Sequence, residues 1–261
     1  MIGIFDSGVG GMTVAKAVEQ LLPEHPLLYL GDIARTPYGP KSPKTIEEYS
    51  IENARFLINK GAKVIVIACN SASSVATDRL RKECNIPIYE VITPAVEKAV
   101  EQSNSGRIGV IGTRATIDSG LYEKLIKRKN TSATVISHAC PLLVSLVEEG
   151  WLNKRETKMI LRRYLNFFKD YQIDTLVLGC THYPLLTHLI QHRIGKRVTL
   201  IDSSKATANY LQKSLTADNR LHPVSGHTVS KNKYYVTDLT QTAERVANII
   251  FKRRVELLRT E

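Results

Sequence analysis

The sequence predicts an α/β protein of two similar parallel-sheet domains, related by a pseudo-twofold axis, with a site in the cleft between them. Three observations carry this. Val64-Ile65-Val66-Ile67-Ala68-Cys69-Asn70-Ser71 sets four β-branched residues in a row ahead of a cysteine, as in a strand buried on both faces; a half-exposed strand would alternate apolar with polar. Thr175-Leu176-Val177-Leu178-Gly179-Cys180-Thr181-His182 repeats that arrangement in the second half. The echo extends outward in the same order, Ile2-Gly3-Ile4-Phe5 corresponding to Ile108-Gly109-Val110-Ile111 and Ile88-Tyr89-Glu90-Val91-Ile92-Thr93 to Val198-Thr199-Leu200-Ile201-Asp202-Ser203. Repetition of this kind marks repeated structural units. Each unit would place one thiol at the carboxyl end of a strand, and units packed face to face would oppose the two thiols. The expected domains are residues 1–94 with 207–261, and 95–206 as an insertion.

Along the chain, Ile2-Gly3-Ile4-Phe5 reads as a short strand, and Asp6-Ser7-Gly8-Val9-Gly10-Gly11-Met12-Thr13 as a glycine-rich turn into a helix reaching about Leu22. The glycines fit neither G-x-G-x-x-G nor G-x-x-x-x-G-K-[ST], and Asp6 would repel a phosphate, which excludes a phosphate loop. A carboxylate there suits an ammonium group or proton transfer; the alternative is a turn aspartate that accepts backbone N–H bonds. Leu27 to Leu30 is a second strand ending in Gly31-Asp32. The loop from Ala34 to Pro43 carries three prolines and Tyr38-Gly39, and a helix follows from Thr45 to Lys60.

After the central strand, Asn70, Ser71 and Ser73 are residue types that cap helix N-termini, and a helix continues through Val75-Ala76-Thr77-Asp78-Arg79-Leu80. A helix start beside Cys69 offers free N–H groups and positive partial charge, expected to lower the thiol from about 8.5 and to bind an anion. The alternative is a cysteine that simply packs. Ile86 to Ile92 reads as a strand, with Thr93-Pro94 opening a helix and proline at its first position. The polar stretch from Gln102 to Gly106 breaks the pattern, and Arg107 to Thr113 restarts it as a strand. Thr134-Val135-Ile136 is another, leading through His138-Ala139-Cys140-Pro141 into a helix with Glu148 and Glu149.

With 261 residues, 43% of them hydrophobic, the chain can build one large or two ordinary cores. The start Met1-Ile2-Gly3-Ile4-Phe5-Asp6 signals neither secretion nor membrane insertion, so the cytoplasm is the expected location. Cys69, Cys84, Cys140 and Cys180 contain no C-x-x-C, which argues against a disulfide framework or zinc ribbon. A net charge of +11 raises nucleic acid, a membrane surface or an acidic substrate as partners. The densest basic cluster, Phe251 to Arg259, interleaves with apolar residues as the solvated face of an amphipathic helix would, and no nucleic-acid recognition motif accompanies it.

Two opposed thiols suit inversion of a carbon bearing an acidic hydrogen: one base removes the proton from one face while an acid delivers one to the other. A cysteine phosphatase would need an arginine closing a C-x5-R loop, and Val75 and Leu186 stand at those positions. A metal held by Cys69, Cys180, His182 and Cys140 is possible by ligand type, but the spacing is irregular.

The motifs Phe5-Asp6-Ser7-Gly8-Val9-Gly10-Gly11, Gly31-Asp32 with Pro37-Tyr38-Gly39, Ala68-Cys69-Asn70, Leu142 to Glu148, and Gly179-Cys180-Thr181-His182-Tyr183-Pro184 belong together. On them the chain resembles the bacterial glutamate racemases, cofactor-independent members of the aspartate/glutamate racemase superfamily, over essentially its whole length. The resemblance implies Cys69 and Cys180 as the two proton donor/acceptors, Cys69 for D-glutamate and Cys180 for L-glutamate. Asp6 and His182 would tune them, and Glu148 would be a further polar group, with Glu149 adjacent as the alternative. Substrate contacts would come from Asp6, Ser7, Tyr38, Gly39, Asn70, Ser71, Thr113, Thr116, Thr181 and His182. Ser71 stands where the family usually has threonine and keeps the hydroxyl. The resemblance also implies no metal or cofactor, glutamate as substrate, a homodimer, and supply of D-glutamate for peptidoglycan synthesis. Competing expectations are a racemase acting on aspartate and a binding protein using the basic surface.

Overall fold

The computed structural model describes residues 1–218 and 232–260. In chain order the elements are β1 (Ile2–Asp6), α1 (Met12–Leu21), β2 (Leu27–Gly31), α2 (Pro43–Asn59), β3 (Val64–Ile67), α3 (Asn70–Glu83), β4 (Ile88–Glu90), α4 (Ile92–Gln102) and β5 (Arg107–Gly112). They continue with α5 (Arg114–Asp118), α6 (Leu121–Lys129), β6 (Thr134–Ala139), α7 (Leu142–Glu148), α8 (Arg155–Asn166), β7 (Thr175–Gly179), α9 (Thr187–Ile194), β8 (Thr199–Asp202), α10 (Ser203–Asp218), β9 (Lys233–Val236), α11 (Gln241–Phe251) and β10 (Leu257–Arg259).

The strands form two parallel sheets, β10-β9-β2-β1-β3-β4 and β6-β5-β7-β8. The second sheet repeats the inner order of the first, so β5, β7 and β8 occupy the places of β1, β3 and β4, as the sequence echo predicts. The glycines of the echo have one physical reason. A Cβ on Gly3 would come within 2.8 Å of Ala62 Cβ and 2.9 Å of Ile65 Cδ1; on Gly109 it would come within 2.7 Å of Ile173 Cδ1 and 2.9 Å of Leu176 Cδ1. Each lies on the strand where strand order reverses, and the carboxyl ends at such a reversal form the crevice in which open α/β sheets bind ligands.

Helices cover both faces of each sheet. Residues of α1, α10 and α11 close one apolar core on the first sheet, and those of α2 and α3 another. On the second sheet α4 and α6 build one core and α7, α8 and α9 the other. Ile92, Ala95, Val96 and Ala99 of α4 pack on the second sheet, whereas Ala208, Leu211 and Leu215 of α10 pack on the first. The chain therefore passes between units at β4–α4 and at β8–α10.

Several local expectations are corrected. Cys69 itself is the N-cap of α3, with no side-chain capping bond. Ser73 Oγ instead donates to the Ile67 carbonyl, and Ser71 Oγ meets Thr113 Oγ1 at 2.8 Å. Pro94 is not the first residue of α4, because the Glu90 carboxylate accepts the N–H groups of Ile92 and Thr93 and starts the helix two residues earlier. α2 begins at Pro43, ahead of the expected Thr45, with Ser42 accepting the Thr45 N–H. The basic stretch from Phe251 to Arg259 is not one helix: α11 ends at Phe251, Lys252 adopts φ 55°, and Leu257–Arg259 is an edge strand. Finally, Cys180 is followed by a single 3₁₀ turn over Tyr183–Leu186 before α9, rather than by an α-helix.

Candidate active site

The carboxyl ends of β1, β3, β5 and β7 converge on a narrow slot between the units. Its walls include Ser7, Tyr38, Gly39, Cys69, Asn70, Ser71, Thr113, Cys180, Thr181 and His182. Both cysteines thus face one cavity, although they lie in different units. Asp6 and Thr116 stand behind the wall, 0% and 1% exposed, and Glu148 lines an adjoining outer cavity with Arg114 and Leu142. Among the described residues no group of three or more His, Cys, Asp or Glu side chains is disposed to hold a metal ion.

Cys69 Sγ lies 3.6 Å from Ser7 Oγ, and the Ala72 N–H at the start of α3 points to the same sulfur. These contacts favour a thiolate, as expected from the helix start, but burial and then the Asp6 carboxylate outweigh them. The thiol is pushed up to about 12 from 9.0. The expected lowering is overturned because α3 supplies donors while the closed cleft withholds water. Cys69 therefore rests as the protonated acid.

The second sulfur has a different neighbour. Cys180 Sγ is 3.8 Å from His182 Nδ1, and His182 Nε2 is 3.2 Å from Glu148 Oε1, within ion-pair reach but off the line of a hydrogen bond. Burial works against a charged imidazole, yet the contacts with Cys180 and Glu148 outweigh it and hold His182 well above its ordinary value. Of the two adjacent glutamates, Glu148 faces His182 and Glu149 is exposed at the end of α7.

Asp6 connects the two sides. Burial raises its carboxyl group, against the opposing influence of His182 and of the Gly11 and Gly8 N–H groups. Its Oδ1 also accepts the Thr181 hydroxyl at 3.4 Å. The glycine-rich turn permits this approach: a Cβ on Gly10 would lie 2.5 Å from the His182 ring.

The other slot residues form directed donors. The Tyr122 hydroxyl on α6 donates to Asn70 Oδ1 at 2.7 Å and thereby fixes the amide, leaving its buried Nδ2 without a partner among the described residues. Such an orphan donor suits an anionic ligand group. Ser71, Thr113 and Thr116 form a hydroxyl chain, with Thr113 and Thr116 3.1 Å apart. Tyr38 donates to Asp32 and receives a bond from Asn53 at 3.0 Å. Thr36, Pro37 and Val144 complete the walls. Sequence reasoning assigns no site role to these last three or to Tyr122, although Pro37 and Val144 fall within the motifs that carry the resemblance. Asp32, at the carboxyl end of β2, carried the better signal.

The raised Cys69 thiol has a consequence for stability. Between pH 9.0 and about 12 the folded chain keeps a proton that the unfolded chain has released, so the contribution is complete below that window and declines as pH rises through it. The loss is about 1 kcal/mol for the first pH unit. Urea unfolding at pH 8 and pH 10 should show a shallower decline for Cys69→Ser than for the parent. Equal slopes would contradict the raised thiol.

Comparison with known proteins identifies the family. The sequence profile of the Asp/Glu/hydantoin racemase family matches residues 12–211. A glutamate racemase of Geobacter metallireducens is 45% identical over 95% of this chain and 91% of its own. The crystal structure of a glutamate racemase from Bacillus anthracis superposes with a TM-score of 0.94 at 34% identity, covering 100% of this chain and 97% of that one. Another, from Francisella tularensis in complex with D-glutamate, gives 0.91 at 36% identity, covering 100% and 97%. The chain therefore belongs to the Asp/Glu/hydantoin racemase family, in its glutamate racemase branch, and is an amino-acid isomerase.

Proposed function

We propose that the protein interconverts L- and D-glutamate without a cofactor, by proton transfer at Cα between Cys180 on one face and Cys69 on the other. One observation carries the reading: two sulfurs from two units line one slot, Cys69 with its thiol raised by burial and Cys180 3.8 Å from His182 Nδ1. In this reading Cys180 acts as the base and Cys69 as the acid for L-glutamate, and the roles exchange for D-glutamate.

In the L-to-D direction the Cys180 thiolate takes the Cα proton and the C–H electron pair moves into the substrate carboxylate. Cys69 then delivers its proton to the opposite face, leaving Cys69 as thiolate and Cys180 as thiol, ready for the reverse reaction. The Asn70 amide, the Ser71–Thr113 hydroxyls and the Ser7 hydroxyl are the donors for substrate carboxylates, and a closed slot makes such donors count for more than they would in water. The two units act as two arms, with the chain crossing between them at β4–α4 and at β8–α10. In this reading the enzyme is a cytoplasmic homodimer supplying D-glutamate for peptidoglycan synthesis. Among the described residues no helix is long and apolar enough to cross a membrane.

The direct test is circular dichroism of L- and of D-glutamate incubated with enzyme and no added cofactor. Both signals should decay to zero at the same end point, and aspartate should react far more slowly. A static glutamate signal would overturn the reading, and faster turnover of aspartate would change the substrate. Asp6 is buried behind the slot, near both Thr181 and Cys69. Asp6→Asn should therefore lower kcat by about 10²-fold, the scale of an assisted proton transfer, with KM little changed. A change confined to KM would instead make Asp6 a substrate-binding group.

A further inference from the structure

The turn that carries Cys180 has a gap in its own hydrogen bonding. Its 3₁₀ geometry pairs the Tyr183 N–H with the Cys180 carbonyl at 3.1 Å and the Leu185 N–H with the His182 carbonyl at 3.2 Å. Between them, the Thr181 carbonyl should receive the N–H of residue 184. That residue is Pro184, which has none. Among the described residues no backbone N–H reaches this carbonyl.

The missing donor comes from the other unit. Thr13 Oγ1, on α1, lies 3.1 Å from the Thr181 carbonyl oxygen and 2.8 Å from Ser204 Oγ at the β8–α10 crossing. A hydroxyl has one proton to give and two lone pairs to receive. The Gly10 carbonyl, 2.9 Å away, already takes the Thr13 backbone N–H at 3.0 Å, which leaves the Thr181 carbonyl as the unsatisfied acceptor. Thr181 is thereby held twice by the first unit, through its carbonyl by Thr13 and through its hydroxyl by Asp6. Thr13 does not line the slot.

We infer that Thr13 is a positioning residue for the proposed racemisation: its hydroxyl stands in for the N–H that Pro184 lacks and pins the Cys180 turn at a fixed distance from the first unit. The inference rests on the two-thiol reading above. Proton transfer between groups on separate units is sensitive to their separation, because misplacement of about 1 Å can cost on the order of 10²-fold in rate.

Thr13→Val keeps the shape and removes the hydroxyl. It should lower kcat/KM about tenfold in both directions, with KM within about twofold, because Thr13 touches no substrate. Thr13→Ser should retain near-parental activity. Pro184→Ala restores an N–H at the gap, so in that background the cost of Thr13→Val should shrink to about twofold, a coupling expected only of groups that share a partner.

Isotope effects on kcat/KM give a readout that a merely structural role would not move. In Thr13→Val the effect with α-deuterated L-glutamate should rise, since removal of that proton by Cys180 becomes more limiting. With α-deuterated D-glutamate it should fall, since the slowed step then follows the isotope-sensitive one. Unchanged kcat/KM, a loss confined to KM, isotope effects moving together, an equally impaired serine variant, or no relief from Pro184→Ala would each overturn the inference while leaving parental racemisation intact. A parent enzyme that does not racemise glutamate would remove the two-thiol reading itself, and this inference with it.

Discussion

Cys69→Ala and Cys180→Ala should each yield a folded protein in which racemisation falls by at least about 10³-fold, the upper range for a lost general acid or base. The two cysteines are 5% and 6% exposed and border the slot, so truncation enlarges an existing cavity and does not open a void in a closed core. The thermal midpoints should stay within a few degrees of the parent. Cys84→Ala is the control, since Cys84 is half-buried at the end of α3 and away from the slot; its activity should equal the parent's. Either slot variant retaining a tenth or more of parental turnover, with unchanged far-ultraviolet dichroism, would remove that cysteine from the mechanism.

The expected loss is the same for both cysteines, though their surroundings differ. Without the thiol at Cys69 no acid remains to complete inversion from the L face; without Cys180 no base remains to begin it. In the proposed mechanism His182 beside Cys180 and Asp6 near Cys69 assist proton transfer, and neither would replace a lost sulfur.

What was legible in the sequence, and what was not, follows a physical division. Strand cores such as Val64–Ile67 and Thr175–Gly179 announce themselves because both faces are buried, and their repetition, with Gly3 and Gly109 in matching places, predicts two sheets of like order. The cysteines were legible for the same reason, each following directly on such a core. The two strands at one side of the first sheet were harder to read. Lys233–Val236 and Leu257–Arg259 are short, and the second lies in a basic stretch whose apolar spacing imitates a helix. Its true course depends on pairing with a strand that is itself absent from the local pattern.

Energetic balance was less accessible still. The helix start beside Cys69 is readable from Asn70 and Ser71, and its donors do reach the sulfur. That burial and Asp6 would outweigh them depends on how tightly two units close, which no local pattern records. The bonds from Tyr122 to Asn70 and from Thr13 to the Thr181 carbonyl are likewise long-range. Only the gap at Pro184 could have been read in advance, as a turn residue without an N–H.

Hydrogen transfer in D2O tests the two-thiol account most directly. A thiol carries a single proton, so the hydrogen that Cys180 takes from L-glutamate stays on that sulfur, while Cys69, already exchanged with solvent, delivers deuterium to the opposite face. Early in the reaction, D-glutamate examined by mass spectrometry or proton NMR should carry one deuterium at Cα in essentially every molecule, and recovered L-glutamate should remain largely protiated. Starting from D-glutamate, the same pattern should appear with the roles of the cysteines exchanged. A single polyprotic base would instead return original hydrogen to the product face, so substantial protium in the earliest product would contradict a pair of opposed cysteines.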